Sequence, residues 1–512
     1  MTAMLLCCAF GAGWGMATAR AMSAAPVFTL DYAAAPGARW HGALALATQG
    51  RSWGDSWGPV FAFHDAALFD KLERYTDLAG LGRALDAHFP AQALELRGIA
   101  AQFGALFPEQ AEGRITYEYL AAWVYYHELA HTNVAGEGGS IDSAYAAAVS
   151  RECTGLLAMD KEEHVVHVAN MDQSPPNVRN VTLHVRFVNS AAGTDALFEG
   201  VDWYWFTTGT SRMVAKNVAS FQENWRASSP PLPLERVMAA IADGAPPQIF
   251  VFRSLLEEVT AARSGGGSGS GTGGSSSRGS RSSRRSNATF EALVDRMSTI
   301  RLAAPYYVVM AGPGKRQGAI IARSTAGLAG GGVLRFSKNG TLSSWALVQT
   351  NYDHWKPDAS DDPRRTVAET TLKNMGRGGS LELTLFSVAS TFPVHNPHTA
   401  YTAVFDIRAG TLRAFVRTGL CPVDPASTFS NERYDAYCSS SKGGGGGGGG
   451  PKKGDGHGDK MLHVVGILVL AAGACMLAAS IVVFMCANRK RAGKTRRKSQ
   501  DDEVLLLNHQ GI

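Results

Sequence analysis

One cysteine that is left over when the other six are assigned is the first candidate for chemistry in this sequence. Four of the 7 cysteines lie in apolar stretches at the two ends of the chain: Cys7, Cys8, Cys475 and Cys486. Cys421 and Cys438 enclose 16 residues and can form a disulfide in an oxidising compartment. Cys153 is then left over, and an odd cysteine in such a protein is either buried or a reactive nucleophile. The cysteine count by itself leaves both alternatives open.

The motif HExxH offers a second chemistry, and it is completed by His127, Glu128 and His131. On a helix this spacing places both imidazoles on one face, where they can bind zinc with the glutamate as general base. The third ligand is less clear, because the only candidate is Glu152, beyond three glycines and without a helical motif around it. The alternative is a helix that carries two surface histidines.

Helical and strand patterns interleave in the body of the chain that must position these residues. Apolar residues recur at helical spacing over residues 66–107, and residues 115–130 are a second helix candidate. Later apolar runs predict strands at residues 181–188, 306–310, 319–322, 346–349, 400–407 and 412–416. The patterns lack a regular β-α-β alternation, which favours a layered α+β domain over a doubly wound parallel sheet.

Composition and charge exclude two broad classes of protein. The chain is 45% hydrophobic and 18% charged, so most of it can bury a core and it is neither fully disordered nor fibrous. The net charge is +5, but residues 489–503 contribute +4 from seven Lys/Arg and three Asp/Glu. The remaining chain is nearly neutral, which argues against a nucleic-acid binder. Residues 264–286 and 441–460, rich in Gly with Ser or Lys, predict a solvated insertion and a flexible stalk.

The two ends of the chain indicate its compartment. Residues 1–24 are apolar and small, and they resemble a signal peptide. Residues 461–487 are 27 residues without a charge, which exceeds the roughly 20 that span a bilayer. Basic residues follow at once in the tail, residues 488–512, so this side is expected to be cytoplasmic. The sequence therefore predicts a type I membrane protein with a lumenal body.

Short motifs suggest where such a protein travels. Asp501, Leu505 and Leu506 resemble a dileucine signal of the kind that adaptor complexes read for delivery to endosomes and lysosomes. Sequons for N-glycosylation begin at three asparagines: Asn180, Asn287 and Asn339. These motifs predict a glycoprotein in the lysosomal or endosomal membrane.

Longer motifs resemble those of one hydrolase family. The chain reads CTGLLAMD from Cys153, HVANMD ending at Asp172, QTNYDHWK over residues 349–356, and DPRRT over residues 362–366. These resemble, in order and spacing, the motifs of the acid ceramidase and N-acylethanolamine acid amidase family of N-terminal nucleophile hydrolases. Weaker likeness extends the match to most of residues 26–425 through three further segments: residues 26–31, 39–40 and 401–417.

The resemblance implies a fold, an activity and a set of site residues. The fold would be a four-layer αββα sandwich, and the chain would cut itself between Glu152 and Cys153 into a small subunit, residues 25–152, and a large subunit, residues 153–440. Cys153 would then be the nucleophile and its freed α-amine the base, without cofactor or metal. Asp172 would orient the amine, Asn351 would stabilise the oxyanion, and two further residues would hold the polar network: Arg364 and Glu223. The substrate would be a fatty-acyl amide lipid, either a ceramide or an N-acylethanolamine.

One departure from the family pattern keeps a second function open. Ala169 stands where the family has an arginine that would steady the thiolate, and Gly155 replaces a serine. Loss of this arginine would weaken catalysis, alter self-cleavage or mark a catalytically inactive, receptor-like relative, unless a neighbour such as Arg179 or Arg186 substitutes for it in space. A zinc peptidase built on HExxH is the third alternative. The aromatic run at residues 203–206 would either line an acyl channel or belong to the core.

Overall fold

Two large sheets dominate the structure. The computed structural model describes residues 22–70, 77, 79–133, 153–264, 290–359, 362–377 and 380–417, which belong to one compact unit, residues 1–442. The strands in these ranges are β1 (Met22–Ala24), β2 (Val27–Asp31), β3 (Thr132–Asn133), β4 (Thr154–Met159), β5 (Val165–Asp172), β6 (Leu183–Asn189), β7 (Thr194–Asp202), β8 (Arg212–Ala215), β9 (Ala219–Trp225), β10 (Leu232–Pro233), β11 (Tyr306–Ala311), β12 (Gly318–Ser324), β13 (Gly327–Arg335), β14 (Ala346–Gln349), β15 (Thr399–Asp406) and β16 (Thr411–Arg417).

The helices in the same ranges are mostly short. They are α1 (Ala43–Thr48), α2 (Trp57–His64), α3 (Ala79–His88), α4 (Pro90–Leu106), α5 (Pro108–Ala111), α6 (Tyr117–Val124), α7 (Tyr126–Ala130), α8 (Leu234–Ala242), α9 (Gln248–Ser264), α10 (residues 290–299), α11 (Arg364–Met375) and α12 (Leu381–Ala389). A π-helical turn, Asp65–Phe69, and several 3₁₀ turns connect them.

The strands form two sheets of different size. Sheet A has six strands in the order β1-β16-β15-β5-β4-β14, all antiparallel. Sheet B has eight strands in the order β13-β12-β11-β9-β8-β7-β6-β2, antiparallel except for the β2–β6 pair. Strands β3 and β10 form a small separate pair.

The sheets pack face to face between two helical layers. On the outer face of sheet A, Leu156 and Val168 pack in one apolar cluster with Leu385 of α12. Between the sheets, His167 Nδ1 of β5 lies 2.8 Å from Ser220 Oγ of β9. On the outer face of sheet B, Phe221 stacks on Phe252 of α9 with ring centroids 5.0 Å apart. The described residues therefore form helix, sheet, sheet and helix layers, and the predicted mixed α+β class is confirmed.

Continuous burial explains why several strands could be predicted from the sequence. All six residues of β11 are buried, because both faces of the strand are covered, so it reads as an apolar run rather than as an alternation. Strand β4 is buried in the same way but was not among the predicted strands. Five predicted strands correspond to β11, β12, β14, β15 and β16, and residues 181–188 overlap β6.

The two predicted helical segments are helical, but each of them contains more than one helix. Residues 66–107 contain α3 and α4, separated at Phe89, because Pro90 occupies the first position of the second helix. Residues 115–130 form α6 and α7, with a break at Tyr125. The side chain of Thr116 caps α6 by accepting a hydrogen bond from Tyr119 N.

Several predictions lie outside the described residues. They are residues 1–21 of the predicted signal peptide, Glu152, most of the insertion, Asn287, the disulfide between Cys421 and Cys438, the stalk, the span over residues 461–487, and the dileucine tail. The last three residues of the predicted signal peptide form β1, which pairs with β16, so its predicted end at residue 24 falls inside sheet A. Within the part of the chain that the structure describes, no helix is long and apolar enough to cross a membrane.

Candidate active site

Cys153 lies immediately before β4, at the edge of the layer between the two sheets. Its side chain is buried, and Arg212 Nη2 donates a hydrogen bond to Cys153 Sγ at 2.6 Å. Met171 Sδ lies 3.4 Å from the same sulfur. The backbone of Cys153 has φ +75°, in the left-handed region that non-glycine residues rarely adopt. The sequence left open whether Cys153 is buried or a reactive nucleophile. The structure shows a thiol that is buried and also in contact with a cation.

Arg364, the first residue of α11, connects the residues that the motifs predicted. Its Nη1 donates to the Cys153 carbonyl oxygen at 3.1 Å and to Asp172 Oδ2 at 3.1 Å. Its Nη2 donates to Asn351 Oδ1 at 2.8 Å and to Asp362 Oδ2 at 2.6 Å. The guanidinium is buried, so these bonds form in a low-dielectric environment where each is strengthened. The structure therefore joins Cys153, Asp172, Asn351 and Arg364 in one network.

Asp172 ends β5, where three side chains donate to its carboxylate. Thr399 Oγ1 donates to Oδ1 at 2.5 Å, and Asn396 Nδ2 donates to Oδ2 at 2.9 Å, beside the Arg364 bond. Burial nevertheless raises the pKa of Asp172 above its ordinary value, against the opposing effects of Arg364 and Thr399. Asp172 is thus held rigidly, with a pKa above that of an exposed aspartate.

Asn351 follows β14 and is completely buried. One of its two amide N–H groups donates to the Trp225 carbonyl oxygen at 3.1 Å, and the other has no acceptor among the described residues. Because Arg364 holds the amide oxygen, the orientation of the side chain is fixed and the second N–H group is available to a substrate oxygen.

Glu223 lies on β9, and the structure places its side chain on the opposite face of sheet B from Cys153. Neighbouring Gln222 faces sheet A, since its Oε1 lies 3.1 Å from His167 Nε2, whereas Phe221 faces α9. Glu223 shares the face of Phe221, and its Oε1 lies 3.3 Å from His127 Nε2. Among the described contacts, Glu223 is therefore joined to the HExxH motif rather than to the thiol.

The HExxH residues lie in the core, so the alternative of two surface histidines is wrong. His127 and His131 are 6% and 5% exposed, and their ring centroids are 4.9 Å apart. His131 stacks on Trp225 at 3.6 Å, and Glu128 Oε1 accepts from Gln248 N at 2.7 Å. Within the described ranges, no group of three His, Cys, Asp or Glu side chains is arranged to hold a metal ion. Glu152, the proposed third ligand, lies outside those ranges.

The cation next to the sulfur is not either of the arginines that the sequence suggested. Arg179 Nε donates to the Thr399 carbonyl oxygen at 2.9 Å, and Arg186 Nε donates to Glu199 at 3.2 Å. Arg212, which contacts the sulfur, belongs to none of the motifs. Its one signal in the sequence is that it is the only charged residue in the stretch 203–215.

Two other groups of predicted residues are the aromatic run and the sequon asparagines. The aromatic residues 203–206 are buried and belong to the core, where Trp205 stacks on Trp40 at 5.6 Å. Of the sequon asparagines, Asn339 is exposed, whereas Asn180 Nδ2 donates to the Asp55 carbonyl oxygen at 2.8 Å.

The curated proteins that are similar to this chain include N-acylethanolamine-hydrolyzing acid amidases and acid ceramidases. No family model matches the chain. It is 28% identical over 271 residues to the N-acylethanolamine-hydrolyzing acid amidase of Mus musculus, which covers 52% of this chain and 63% of the relative. It is 33% identical over 140 residues to the acid ceramidase of Heterocephalus glaber, covering 27% of this chain and 34% of the relative.

The chain is also similar to a solved structure of an N-acylethanolamine-hydrolyzing acid amidase. The N-acylethanolamine-hydrolyzing acid amidase ortholog of Caenorhabditis elegans is 26% identical, and the match covers 50% of this chain and 93% of that chain with a TM-score of 0.39. The match to the mouse and rabbit relatives spans 63% and 60% of their own length. These curated relatives confirm the resemblance that the motifs predicted.

Proposed function

We propose that this relative of the acid ceramidases and N-acylethanolamine-hydrolysing acid amidases is an N-terminal cysteine amidase, which cleaves a fatty-acyl amide lipid to a fatty acid and an amine after cutting its own chain before Cys153. One observation carries the proposal. The Cys153 sulfur meets a guanidinium, and its backbone carbonyl meets a second guanidinium that also holds Asp172 and Asn351. A structural cysteine in an apolar core has no need of such surroundings.

The backbone at Cys153 supports self-cleavage. A non-glycine residue in the left-handed region costs about 1–3 kcal/mol, and such strain concentrates at functional sites. The φ angle of +75° describes rotation about the bond between the Cys153 nitrogen and Cα. Cleavage of the preceding peptide bond turns that nitrogen into a free amine, so the strain is released with the cut.

The mature enzyme then uses both ends of Cys153. The freed α-amine, with an ordinary pKa near ~8, accepts the thiol proton. The thiolate attacks the amide carbonyl carbon, and the second N–H group of Asn351 donates to the oxyanion, which is worth roughly 3 kcal/mol in other hydrolases. The C–N bond breaks, and the leaving amine takes the proton from the ammonium. Water, deprotonated by the same amine, hydrolyses the thioester and releases the fatty acid.

Asp172 and Arg364 position these groups. Asp172 is fixed by Thr399, Asn396 and Arg364, which leaves it poised to orient the α-amine. The role that family resemblance assigns to Glu223 has no support in a contact with this network, because Glu223 faces His127. Glu223 therefore contributes, on this proposal, through packing beneath β9 rather than through the thiol.

An inactive receptor-like protein is the second candidate, and its support is Ala169 together with the predicted membrane anchor. The contact between Arg212 and the sulfur weakens the argument from Ala169, since the site keeps a cation despite the alanine. A zinc peptidase has less support, because the described residues offer no set of three ligands around His127 and His131.

N-terminal sequencing of the lumenal protein, purified after incubation at acidic pH, tests the mechanism. We expect two chains, with the larger beginning at Cys153. The Cys153→Ala variant should neither cleave itself nor hydrolyse acyl amides, and Cys153→Ser should retain some self-cleavage but little hydrolysis. A single uncut chain with full amidase activity would overturn the proposal.

A matched control separates the thiol from the HExxH motif. His127→Gln combined with His131→Gln should leave amide hydrolysis by the mature enzyme nearly intact, and a zinc chelator should have no effect. Chelator-sensitive activity that survives Cys153→Ala would move the site to the histidines. Ceramide and N-acylethanolamine substrates are assayed side by side, and absence of activity on both in the wild-type protein favours the inactive alternative.

The proposed enzyme is a type I membrane protein of lysosomes or endosomes. The apolar residues 461–487, the basic tail and the dileucine signal support this location. Changing Leu505 and Leu506 to Ala should move the protein to the cell surface, as measured by surface biotinylation. If the double variant stays in place, the tail does not carry the address.

A further inference from the structure

The position of Arg212 has a consequence for the chemistry of the thiol. We infer that Arg212, which reaches across from sheet B, is a catalytic residue that holds the Cys153 sulfur as a thiolate. This inference rests on the proposed function only for the reaction that the thiolate performs. The contact with the reacting atom is given by the geometry itself, because Nη2 lies 2.6 Å from Sγ.

The guanidinium of Arg212 is fixed on its other side. Its Nη1 donates to Ser211 Oγ, and both the backbone N–H and the hydroxyl of Ser211 donate to Asp202 Oδ2, the former at 2.8 Å. Tyr204 N also donates to Asp202 at 3.3 Å. Asp202 therefore fixes the arginine through Ser211 without touching it, and Nη2 is directed at the sulfur.

The charge of Arg212 requires an anion in this place. The residue is completely buried, and an unpaired charge in a protein interior is strongly unfavourable. The titratable groups that act on it from the surrounding strands are Cys153, Tyr401, Asp202 and Glu223. Of these, the sulfur of Cys153 is the one that its hydrogen bonds reach directly.

The ionisation of these groups is consistent with a thiolate. Burial lowers the pKa of Arg212, but the charge of Cys153, followed by Tyr401 and Asp202, raises it above its ordinary value, so the guanidinium stays protonated. Burial raises the pKa of Asp202, against Arg212 and Ser211, and Ser211 Oγ lies between this carboxyl and the guanidinium. A thiol beside a permanent guanidinium ionises at lower pH than a free thiol.

The sheets approach each other closely enough for an arginine of one to serve the other. Gly155 of β4 lies against β9, since a Cβ there would be 2.7 Å from Gln222 Oε1. Ala169 pairs with Gly155 across sheet A and lies on the same face of β5 as His167, which contacts sheet B, so its short side chain faces the layer between the sheets. Arg212 pairs with Gln222 on sheet B and extends into this layer. The cation that β5 does not provide is thus supplied by β8.

The experiment measures the sulfur directly, so that it does not depend on amidase activity. Alkylation of Cys153 by iodoacetamide is followed between pH 4 and 9 by mass spectrometry of the peptide containing Cys153, in the cleaved and the uncleaved chain. In Arg212→Met the pH midpoint of alkylation should rise by at least about 1 unit, which lowers the rate roughly 10-fold at pH values below the midpoint. Arg212→Lys keeps the charge and should lie between the two.

Two variants distinguish a catalytic from a merely structural arginine. Arg323→Met removes another buried arginine of sheet B, one that donates to backbone carbonyls such as that of Gly327, and should leave the midpoint unchanged. Ala169→Arg in the Arg212→Met background should lower the midpoint again. An unchanged midpoint in Arg212→Met, or in Arg212→Gln if Arg212→Met does not fold, would overturn the inference. If the wild-type protein has no amidase activity but Arg212→Met still raises the alkylation midpoint relative to wild type, the inference about Arg212 is upheld and the proposed function is refuted.

Discussion

Replacing Arg364 by Met removes the cation that four buried groups share. The side chain is 2% exposed, and it bonds to Asp362 through Nε at 2.7 Å and Nη2 at 2.6 Å, to Asp172, to the Asn351 amide oxygen and to the Cys153 carbonyl. Methionine fills much of the same space but offers no donor. The variant therefore strands two carboxylates and two neutral acceptors in the interior.

The expected loss of stability follows from these contacts. Removing one member of a buried ion pair costs about 3–5 kcal/mol, because the remaining charge is left uncompensated. The two neutral acceptors add about 1 kcal/mol each. The total of about 5–7 kcal/mol is comparable to the whole stability of many domains, which is about 5–15 kcal/mol.

Chemical unfolding of the body measures this loss. All variants are made in the Cys153→Ala background, so that each chain is uncut and the processing state is the same. Arg413→Met is the control, since Arg413 is 59% exposed and pairs with Glu382 at the surface, where removal costs at most about 1 kcal/mol. Adding Asp172→Asn to Arg364→Met should recover part of the loss, because one stranded charge is removed. If Arg364→Met lies within 1 kcal/mol of the control, or if the added asparagine recovers nothing, the network does not hold the site.

Two buried groups outside the network give predictions about pH. Burial lowers the pKa of His64 to about 3, so the stability that its neutral form contributes is present above pH 6.5 and is lost as the pH falls. By pH 4.5 the loss reaches roughly 3 kcal/mol, and His64→Phe should reduce the fall in unfolding free energy between pH 7.5 and 4.5; an equal fall would contradict this. Burial raises the pKa of Glu128, so its contribution has the opposite sign and is lost as the pH rises. Glu128→Gln, which keeps an acceptor for Gln248 N, should therefore gain stability relative to wild type as the pH rises above the ordinary pKa of glutamate, and a gain on acidification would reverse the assignment.

The sequence predicted several of the strands whose burial makes them apolar, although β4, which is equally buried, was not among them. Strands β11, β14 and β15 were recognised in this way, because both faces of each strand are covered. Helix breaks were missed, because apolar periodicity continues through a break such as that at Tyr125. Strand β9, which carries Ser220, Gln222 and Asn224 on one face, is buried but polar, so hydropathy gave no signal for it.

The candidate site was predicted as a list of residues and not as an arrangement. The resemblance of the motifs to the hydrolase family implied Asp172, Asn351 and Arg364, and the structure joins them around Arg364. Arg212 was missed for a physical reason. Its role depends on the distance between two sheets, and a position in one strand says nothing about which strand of the other sheet lies opposite. The same reasoning explains why Ala169 suggested an inactive site.

Gly155, the other departure from the family pattern, tests whether the spacing between the sheets sets the site. A Cβ at this position would lie 2.7 Å from Gln222 Oε1 and 2.9 Å from Val309 Cγ2. Gln222 cannot easily move, because Oε1 lies 3.1 Å from His167 Nε2 and Nε2 donates to Asn224 at 2.5 Å. Restoring a serine should therefore push β4 away from β9, at a cost of about 1–3 kcal/mol.

The serine variant should alter the surroundings of the thiol without unfolding the protein. Cys153 lies two residues from Gly155 on the same strand edge, so displacement of β4 lengthens the contact between the sulfur and Arg212. We expect Gly155→Ser to remain folded at pH 7 while its self-cleavage slows and its alkylation midpoint rises. Gly104→Ser is the control, because a Cβ there meets nothing within 4 Å. If the two serine variants are equally stable and cleave equally fast, the close approach at Gly155 does not control the site, and the contacts of Arg212 and Arg364 with Cys153 must align the thiol without it.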